Sequence, residues 1–212
     1  MISNFRDDLN KERILGEYLD GIYARIFNKT KFLVSRITER NEQLKGIDLR
    51  IEKLDDSSIF YVDEKAQLDY INFNLPTFAF ETSYLKYGSY REGWLYDESK
   101  LTQYYFLVTQ IHATIGTDIT QGIRKLKIHS VDRTKLQTLL GQRGLDKAVL
   151  EKYDSEIRES NVDGKIKIKE LDNVSEGAFH FSRKNKSESP INLVLKLSFL
   201  EENNVAKVIY PI

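Results

Sequence analysis

The chain has 212 residues, of which 41% are hydrophobic, and it contains no cysteine. This length fits one domain with a real core, so disorder, disulfides, zinc fingers, cysteine nucleophiles and iron–sulfur clusters are excluded. The 32 basic residues balance the 32 acidic residues. A globally basic coat for nucleic acids is therefore absent, and only local patches remain for phosphate contacts.

The predicted elements begin with an amphipathic helix between residues 7 and 28, where apolar residues recur at steps of three and four. Three strands are expected at residues 47–53, 59–71 and 77–85, and a continuous apolar run at 104–108 predicts a buried central strand. Asp132 is expected to cap a helix that runs to about Leu140, with Gly141 past its end, and a second helix spans residues 144–160. The last predicted strand spans residues 191–197. This order predicts an α/β fold with a central mixed sheet flanked by helices.

We expect a single domain over residues 1–212, in which residues 160–212 either complete the sheet or contact substrate as a C-terminal extension. The N-terminal segment has no apolar signal core, and no window approaches the roughly 18 apolar residues of a membrane span. We therefore expect a soluble, cytoplasmic protein that does not bind membranes.

Two short runs in the predicted strands carry chemistry, residues 46–51 and residues 59–67. Side chains alternate across a strand, so Asp63, Lys65 and Gln67 share one face and Glu64 lies on the other. Asp48 on the preceding strand can be the cross-strand neighbour of Asp63. Two carboxylates are hard ligands for a divalent cation, and the backbone carbonyl of Glu64 could supply a third oxygen.

An ammonium group beside such a cation has a clear use in phosphodiester hydrolysis. The metal ion polarises the phosphate and lowers the pKa of a bound water. Lys65 can orient that water and oppose the negative charge that builds on phosphorus. The runs therefore predict Asp48 and Asp63 as metal ligands, with Lys65 as the catalytic cation.

The spacing of Asp48 and Asp63-Glu64-Lys65 resembles the PD-(D/E)xK nuclease superfamily, which includes many restriction endonucleases. Ile47 stands where the usual proline would precede the first aspartate. The resemblance extends to the runs at residues 36–48, 78–81, 93–95, 104–106 and 189–192. It implies a restriction-endonuclease-like fold with a core order of helix, three strands, helix, strand. The strand at residue 104 precedes both long helices, which departs from that order and indicates an insertion or an extra strand.

The resemblance also implies an activity, namely Mg²⁺-dependent cleavage of DNA by an endonuclease, with Mn²⁺ as a substitute ion. The superfamily often places a helix glutamate near the metal, which makes Glu17 a further candidate beside Gln67. Many such nucleases form homodimers to cut both strands. The basic clusters at residues 124–127, 165–169 and 183–186 are the best candidates for phosphate contacts.

Plainer interpretations of the same residues stay open. Asp48 could be a turn residue after Gly46, Asp63 and Lys65 could form a surface ion pair, and Glu17 could be a solvated helix charge. The main alternative function is a catalytically inactive nuclease-fold protein that binds DNA or another protein. A third possibility is an α+β interaction domain in which the motif is accidental.

Overall fold

The computed structural model describes residues 5–160, 163–182 and 188–211. The chain is a mixed α/β protein with two β-sheets, and it divides into two compact units. The first unit comprises Met1–Leu75, Leu101–Val131 and Lys207–Ile212, and the second comprises Pro76–Lys100 and Asp132–Ala206. No helix in the described ranges is long and apolar enough to cross a membrane.

The described residues contain eleven strands: β1 (Phe32–Arg36), β2 (Leu49–Lys53), β3 (Ile59–Ala66), β4 (Thr77–Lys86), β5 (Ser89–Glu92), β6 (Tyr104–Ala113), β7 (Ile123–Asp132), β8 (Gly164–Ile166), β9 (Gly177–Phe181), β10 (Ile191–Lys196) and β11 (Ala206–Tyr210). The α-helices described are α1 (Phe5–Ile26), α2 (Arg40–Gln43), α3 (Arg133–Gln142), α4 (Lys147–Glu159) and α5 (Leu197–Glu202).

The sheet of the first unit has six strands in the order β1-β2-β3-β6-β7-β11. Strands β1, β2 and β3 form an antiparallel meander, and β3 pairs with β6 in parallel, with Asp63 opposite Tyr105. The sheet is therefore mixed. Strand β6 lies between β3 and β7, and its residues 105–108 are buried, which confirms the central strand predicted at residues 104–108.

Helix α1 covers one face of this sheet through an apolar stripe. Leu15, Leu19, Ile22 and Tyr23 are buried at the three- and four-residue spacing that the sequence predicts. They pack in one apolar cluster with sheet residues Leu49, Ile51, Val62, Phe106 and Val108. Because side chains alternate, the face of β3 that carries Val62 is turned towards this cluster, and Asp63 and Lys65 lie on the opposite face.

The second unit contains the five-stranded sheet β5-β4-β10-β9-β8 and helices α3, α4 and α5. The predicted cap of α3 is confirmed, because the Asp132 carboxylate accepts a hydrogen bond from the Lys135 N–H at 3.0 Å. The predicted end is wrong, since α3 includes Gly141 and continues to Gln142. The left-handed glycine of this connection is Gly144, with φ of 79°.

The presence of two sheets differs from the single central sheet that the sequence suggests. The strand predicted at residues 77–85 is β4, and it pairs with β10 and β5 rather than with the strands that carry the motif. Within residues 160–212, strand β11 adds to the six-stranded sheet, whereas β8, β9 and β10 belong to the other sheet. The sheet that a strand joins depends on pairings between residues that are far apart in the sequence. Hydrophobic periodicity carries no information about those pairings.

Candidate functional site

The two aspartates of the motif meet at the start of β2. The pairing of β2 with β3 ends at Leu49 opposite Val62, and Asp48 lies in the bend just before β2. The Asp48 N–H donates to the Val62 carbonyl at 2.8 Å, and the Asp48 carboxylate accepts from the Glu64 N–H at 2.8 Å. The Asp48 carboxyl also shares a hydrogen bond with the Asp63 carboxyl. The structure thus brings the two predicted metal ligands into direct contact.

The turn before Asp48 is held in place by hydrogen bonds from residues 101 and 102. Gly46 adopts a left-handed conformation with φ of 74°, which favours glycine. Its carbonyl accepts a hydrogen bond from the Thr102 hydroxyl at 2.7 Å, and the Lys45 carbonyl accepts from the Leu101 N–H at 2.8 Å. These contacts tie the turn to the segment that leads into β6, and they fix the point at which Asp48 enters the sheet.

Lys65 completes a compact group of charges on the same face of β3. Its Nζ lies 2.5 Å from Oδ1 of Asp63. The Asp63 side chain is only 4% exposed, whereas that of Lys65 is 30% exposed. The ammonium group therefore reaches solvent while it contacts a buried carboxylate. The arrangement is more than a surface ion pair, because one partner is desolvated and a second carboxylate adjoins it.

The electrostatics of the pair favour an added positive charge. Burial and the negative charge of Asp63 raise the pKa of Asp48 to about 7, although the Glu64 N–H and Lys65 oppose the shift. Burial and the adjacent negative charge oppose ionisation of Asp48, so part of the population keeps the Asp48 proton near neutral pH. A cation bound between the carboxylates would displace that proton and remove the repulsion.

The side chain of Glu64 points to the opposite face and has other partners. Its carboxylate accepts a hydrogen bond from the Tyr23 hydroxyl at 2.6 Å and forms an ion pair with Arg36 at 2.5 Å. Arg36 also pairs with Asp20 of α1 at 2.7 Å. Burial and the adjacent Glu64 charge raise the pKa of Tyr23 well above its ordinary value. The side chain of Glu64 is thus not directed at the aspartate pair.

The backbone of Glu64 remains available to the site. The N–H and C=O of one strand residue point to the same side of the strand. Because the Glu64 N–H reaches the Asp48 carboxylate, the Glu64 carbonyl lies along the same edge of β3. This geometry is compatible with the carbonyl as a third oxygen ligand, as the sequence suggests.

The two remaining candidates are placed differently. Gln67 follows the last residue of β3, and its N–H donates to the Val108 carbonyl at 3.0 Å. Glu17 lies on α1 with 65% of its side chain exposed, and it pairs with Arg13 at 2.5 Å. The structure keeps Gln67 next to the motif strand, but it directs Glu17 to solvent.

The network of Asp20, Arg36, Glu64 and Tyr23 behind the motif was not predicted from the sequence. Glu64 is 28 residues from Arg36 and 41 from Tyr23 along the chain, so the contacts arise only from the fold. One available signal was Tyr23 itself, since a tyrosine within a buried helix stripe needs a partner for its hydroxyl.

The donor set is compatible with a hard divalent cation. Among the described residues no group of three or more His, Cys, Asp or Glu side chains could hold a metal ion. Mg²⁺, however, is often bound through one or two carboxylates and takes its other ligands from water and phosphate. Asp48, Asp63 and the Glu64 carbonyl satisfy that requirement. The residues therefore fit Mg²⁺ better than an ion that demands an all-protein cage.

Comparisons of the chain with protein-family models, with curated proteins and with solved structures find no match. The case for the chemistry of this site rests on its own residues.

Proposed function

We propose that the protein is a divalent-metal-dependent DNA endonuclease that acts in the cytoplasm. The observation that carries the proposal is the contact between the Asp48 and Asp63 carboxyls with the Lys65 ammonium 2.5 Å from Asp63. A raised carboxyl pKa beside a charge partner is a frequent property of functional sites. Exposure of Lys65 leaves the group accessible to a substrate.

The topology of the first unit supports a restriction-endonuclease-like fold. Helix α1 precedes the antiparallel meander β1-β2-β3, and β6 then pairs with β3 in parallel. This is the order that the resemblance implies, with one departure. The connection from β3 to β6 is not a helix but residues 67–103, which include β4 and β5 of the second unit.

In this proposal each residue has a defined part. Asp48 and Asp63, with the Glu64 carbonyl, would hold Mg²⁺ or Mn²⁺, which would supply Lewis-acid chemistry at the scissile phosphate. Lys65 orients the attacking water and stabilises the charge on the phosphate. Gln67, which directly follows β3, is proposed to assist substrate placement. Glu17 is not assigned a part, because it pairs with Arg13 in solvent.

The proposed substrate is DNA, and a homodimer would cut both strands. The balance of 32 basic and 32 acidic residues means that phosphate contacts come from local patches. Arg124 and Lys125 are exposed on β7 and suit that role. The cluster at residues 183–186 lies outside the described residues.

The proposal is tested by incubating supercoiled plasmid with the purified protein and Mg²⁺ or Mn²⁺. Wild-type protein should nick or linearise the plasmid, and EDTA should stop the reaction. Asp63→Asn and Lys65→Ala should lower the rate by at least about a hundredfold, because each removes a group that acts on the reacting phosphate. Glu17→Gln is the matched control and should cut at the wild-type rate. Cleavage that survives Asp63→Asn and Lys65→Ala would refute the proposal.

The second candidate is a catalytically inactive nuclease-fold protein that binds DNA or another protein. The zero net charge favours it, since tight DNA binders are usually basic. Calorimetric titration separates the two functions. Mg²⁺ or Mn²⁺ binding that disappears in Asp48→Asn supports the nuclease, and its absence in the wild-type protein supports the binding module.

A further inference from the structure

The hairpin of β4 and β5 in the second unit has a two-residue turn, and the first residue of this turn is a tyrosine. Strands β4 and β5 pair with Lys86 opposite Ser89, so Tyr87 and Gly88 form the whole turn. Their φ angles are 52° and 75°. Turns with two positive φ angles favour Asn-Gly or Asp-Gly, and a bulky residue in the first position is strained.

The side chain of Tyr87 is almost fully exposed to solvent. It is 94% exposed, and the Lys86 ammonium lies 5.9 Å from the ring centroid. A residue whose backbone is strained and whose ring is exposed does not stabilise the fold. Strain of this kind clusters at ligand-binding positions, where a partner compensates for it.

A second exposed aromatic residue lies on the same hairpin. Tyr90 of β5 is 62% exposed, and the Arg158 guanidinium stacks 4.3 Å from its ring centroid. Lys86 and Arg91 are also exposed at the hairpin. The tip thus combines two aromatic rings with positive charges, which is the composition of surfaces that bind unpaired nucleic-acid strands.

The hairpin also borders a cavity of about 440 Å³ that lies between it and α4. Tyr90 and Arg158 line this cavity, together with the buried Asp154, whose carboxylate accepts a hydrogen bond from the Thr82 hydroxyl at 2.8 Å. The volume lies within the range of small-ligand pockets. The lining includes two tyrosines and four carboxylates, which are acceptors suited to a planar heterocycle that carries hydrogen-bond donors.

We propose that the hairpin of β4 and β5 binds unpaired single-stranded DNA. Bases stack on Tyr87 and Tyr90, Lys86 and Arg91 contact the phosphates, and one base enters the cavity beside Tyr90. The choice of a nucleic acid as ligand rests on the proposed nuclease function, and the inference adds the kind of strand that is bound. Unpaired bases are required because only they expose a face for stacking.

Fluorescence anisotropy with a labelled single-stranded oligonucleotide tests the proposal, with EDTA present so that no cleavage occurs. Tyr87→Ala and Tyr90→Ala should each weaken binding by about tenfold, the usual effect of losing one stacked base. Tyr87→Phe keeps the ring and should bind as the wild type does. Phe73→Ala is the matched control, because Phe73 is 61% exposed outside the hairpin. Wild-type affinity in Tyr87→Ala would overturn the proposal, as would equal binding of the blunt duplex and the single strand.

Two further variants separate binding from folding. Tyr87→Asn suits the turn, so it should raise Tm by about 1–4 °C while it weakens single-strand binding about tenfold. A fall in Tm would mean that Tyr87 serves the fold, which would contradict the inference.

Ser155→Trp fills the cavity from the exposed face of α4 and should also weaken binding about tenfold. Unchanged binding in Ser155→Trp would exclude entry of a base into the cavity.

The outcome is distinguishable from that of the plasmid assay. Single-strand binding that depends on Tyr87, without any metal-dependent cleavage, would support the hairpin and refute the nuclease. Cleavage that depends on Asp63, with single-strand binding unaffected by Tyr87→Ala, would support the nuclease and refute the hairpin.

Discussion

Asp48 lies in an environment that opposes the charge its side chain ordinarily carries. Burial and the charge of Asp63 raise the pKa of the Asp48 carboxyl from its ordinary value of 3.8 to about 7. Folding therefore works against ionisation at this position. A protein that needed only a turn after Gly46 could place an uncharged residue there, whereas a cation site needs the paired carboxylates.

This pKa shift predicts a defined pH dependence of stability in EDTA. Between about pH 4 and pH 7 the folded protein binds the Asp48 proton more tightly than the unfolded chain does. The free energy of unfolding should therefore decrease as pH rises through that range and level off above about pH 7. At about pH 8, Asp48→Asn should increase the free energy of unfolding by about 2 kcal/mol, because it removes the repulsion.

Urea denaturation at several pH values measures this effect. Asp55→Asn is the control, since the Asp55 side chain is 68% exposed and its removal should change stability by less than about 1 kcal/mol. An Asp48→Asn variant that is less stable than the wild type at about pH 8, in EDTA, would show that the carboxylates do not repel each other.

At the level of elements, the two faces of β3 carry two different groups of charged side chains. One face carries Asp63 and Lys65, and the other carries Glu64, which Arg36 of β1 and Tyr23 of α1 bind. The side chain of Glu64 is 11% exposed and that of Arg36 is 26% exposed. Much of the charge pair is therefore removed from water, and the network ties the helix and the edge strand to the motif strand.

Arg36→Ala tests the contribution of this network. The variant leaves Glu64 without its guanidinium partner, so the free energy of unfolding should fall by about 2–3 kcal/mol. Arg13→Ala removes an exposed ion pair with Glu17 and should lower it by less than about 1 kcal/mol. Adding Glu64→Gln to Arg36→Ala should recover much of the loss, because no buried charge then remains unpaired. Equal effects of Arg36→Ala and Arg13→Ala in urea denaturation would contradict this account.

Gly93 offers a second test at this level, in the segment after β5. Its N–H donates to the Thr82 carbonyl at 2.8 Å, and a Cβ at this position would overlap the carbonyl oxygen of Glu81 in β4. Gly93→Ala should therefore lower the free energy of unfolding by about 3 kcal/mol. Gly21→Ala in α1 meets no atom within 4 Å and should instead raise it by about 0.5–1 kcal/mol. Thermal unfolding of both variants checks the opposite signs, and a neutral Gly93→Ala would disprove the close approach.

Local patterns predicted the elements better than they predicted the contacts between them. The two-residue period placed Asp63 and Lys65 on one face, and the helical period placed the buried stripe of α1, because both depend on neighbours in sequence. The helical period also puts Glu17 one turn from Arg13, so its pairing in solvent was readable from the sequence. The Arg36–Glu64 ion pair could not be predicted in this way, because only the fold brings those two residues together.

At the scale of the whole molecule, the main surprise is the division into two units with a sheet each. Residues 76–100 leave the first unit between β3 and β6 and return after forming β4 and β5. Nothing in the sequence marks this departure except Pro76, at which the second unit begins. The aspartate pair belongs entirely to the first unit, and the exposed hairpin belongs to the second.

The central claim is that Asp48 and Asp63 form one divalent-cation site. The most direct test is anomalous X-ray diffraction from crystals of the protein that contain Mn²⁺. The account predicts a peak between the two carboxylates, about 2 Å from an oxygen of each, which is lost in Asp48→Asn. A Mn²⁺ peak that lies elsewhere, or no peak at saturating Mn²⁺, would contradict the claim.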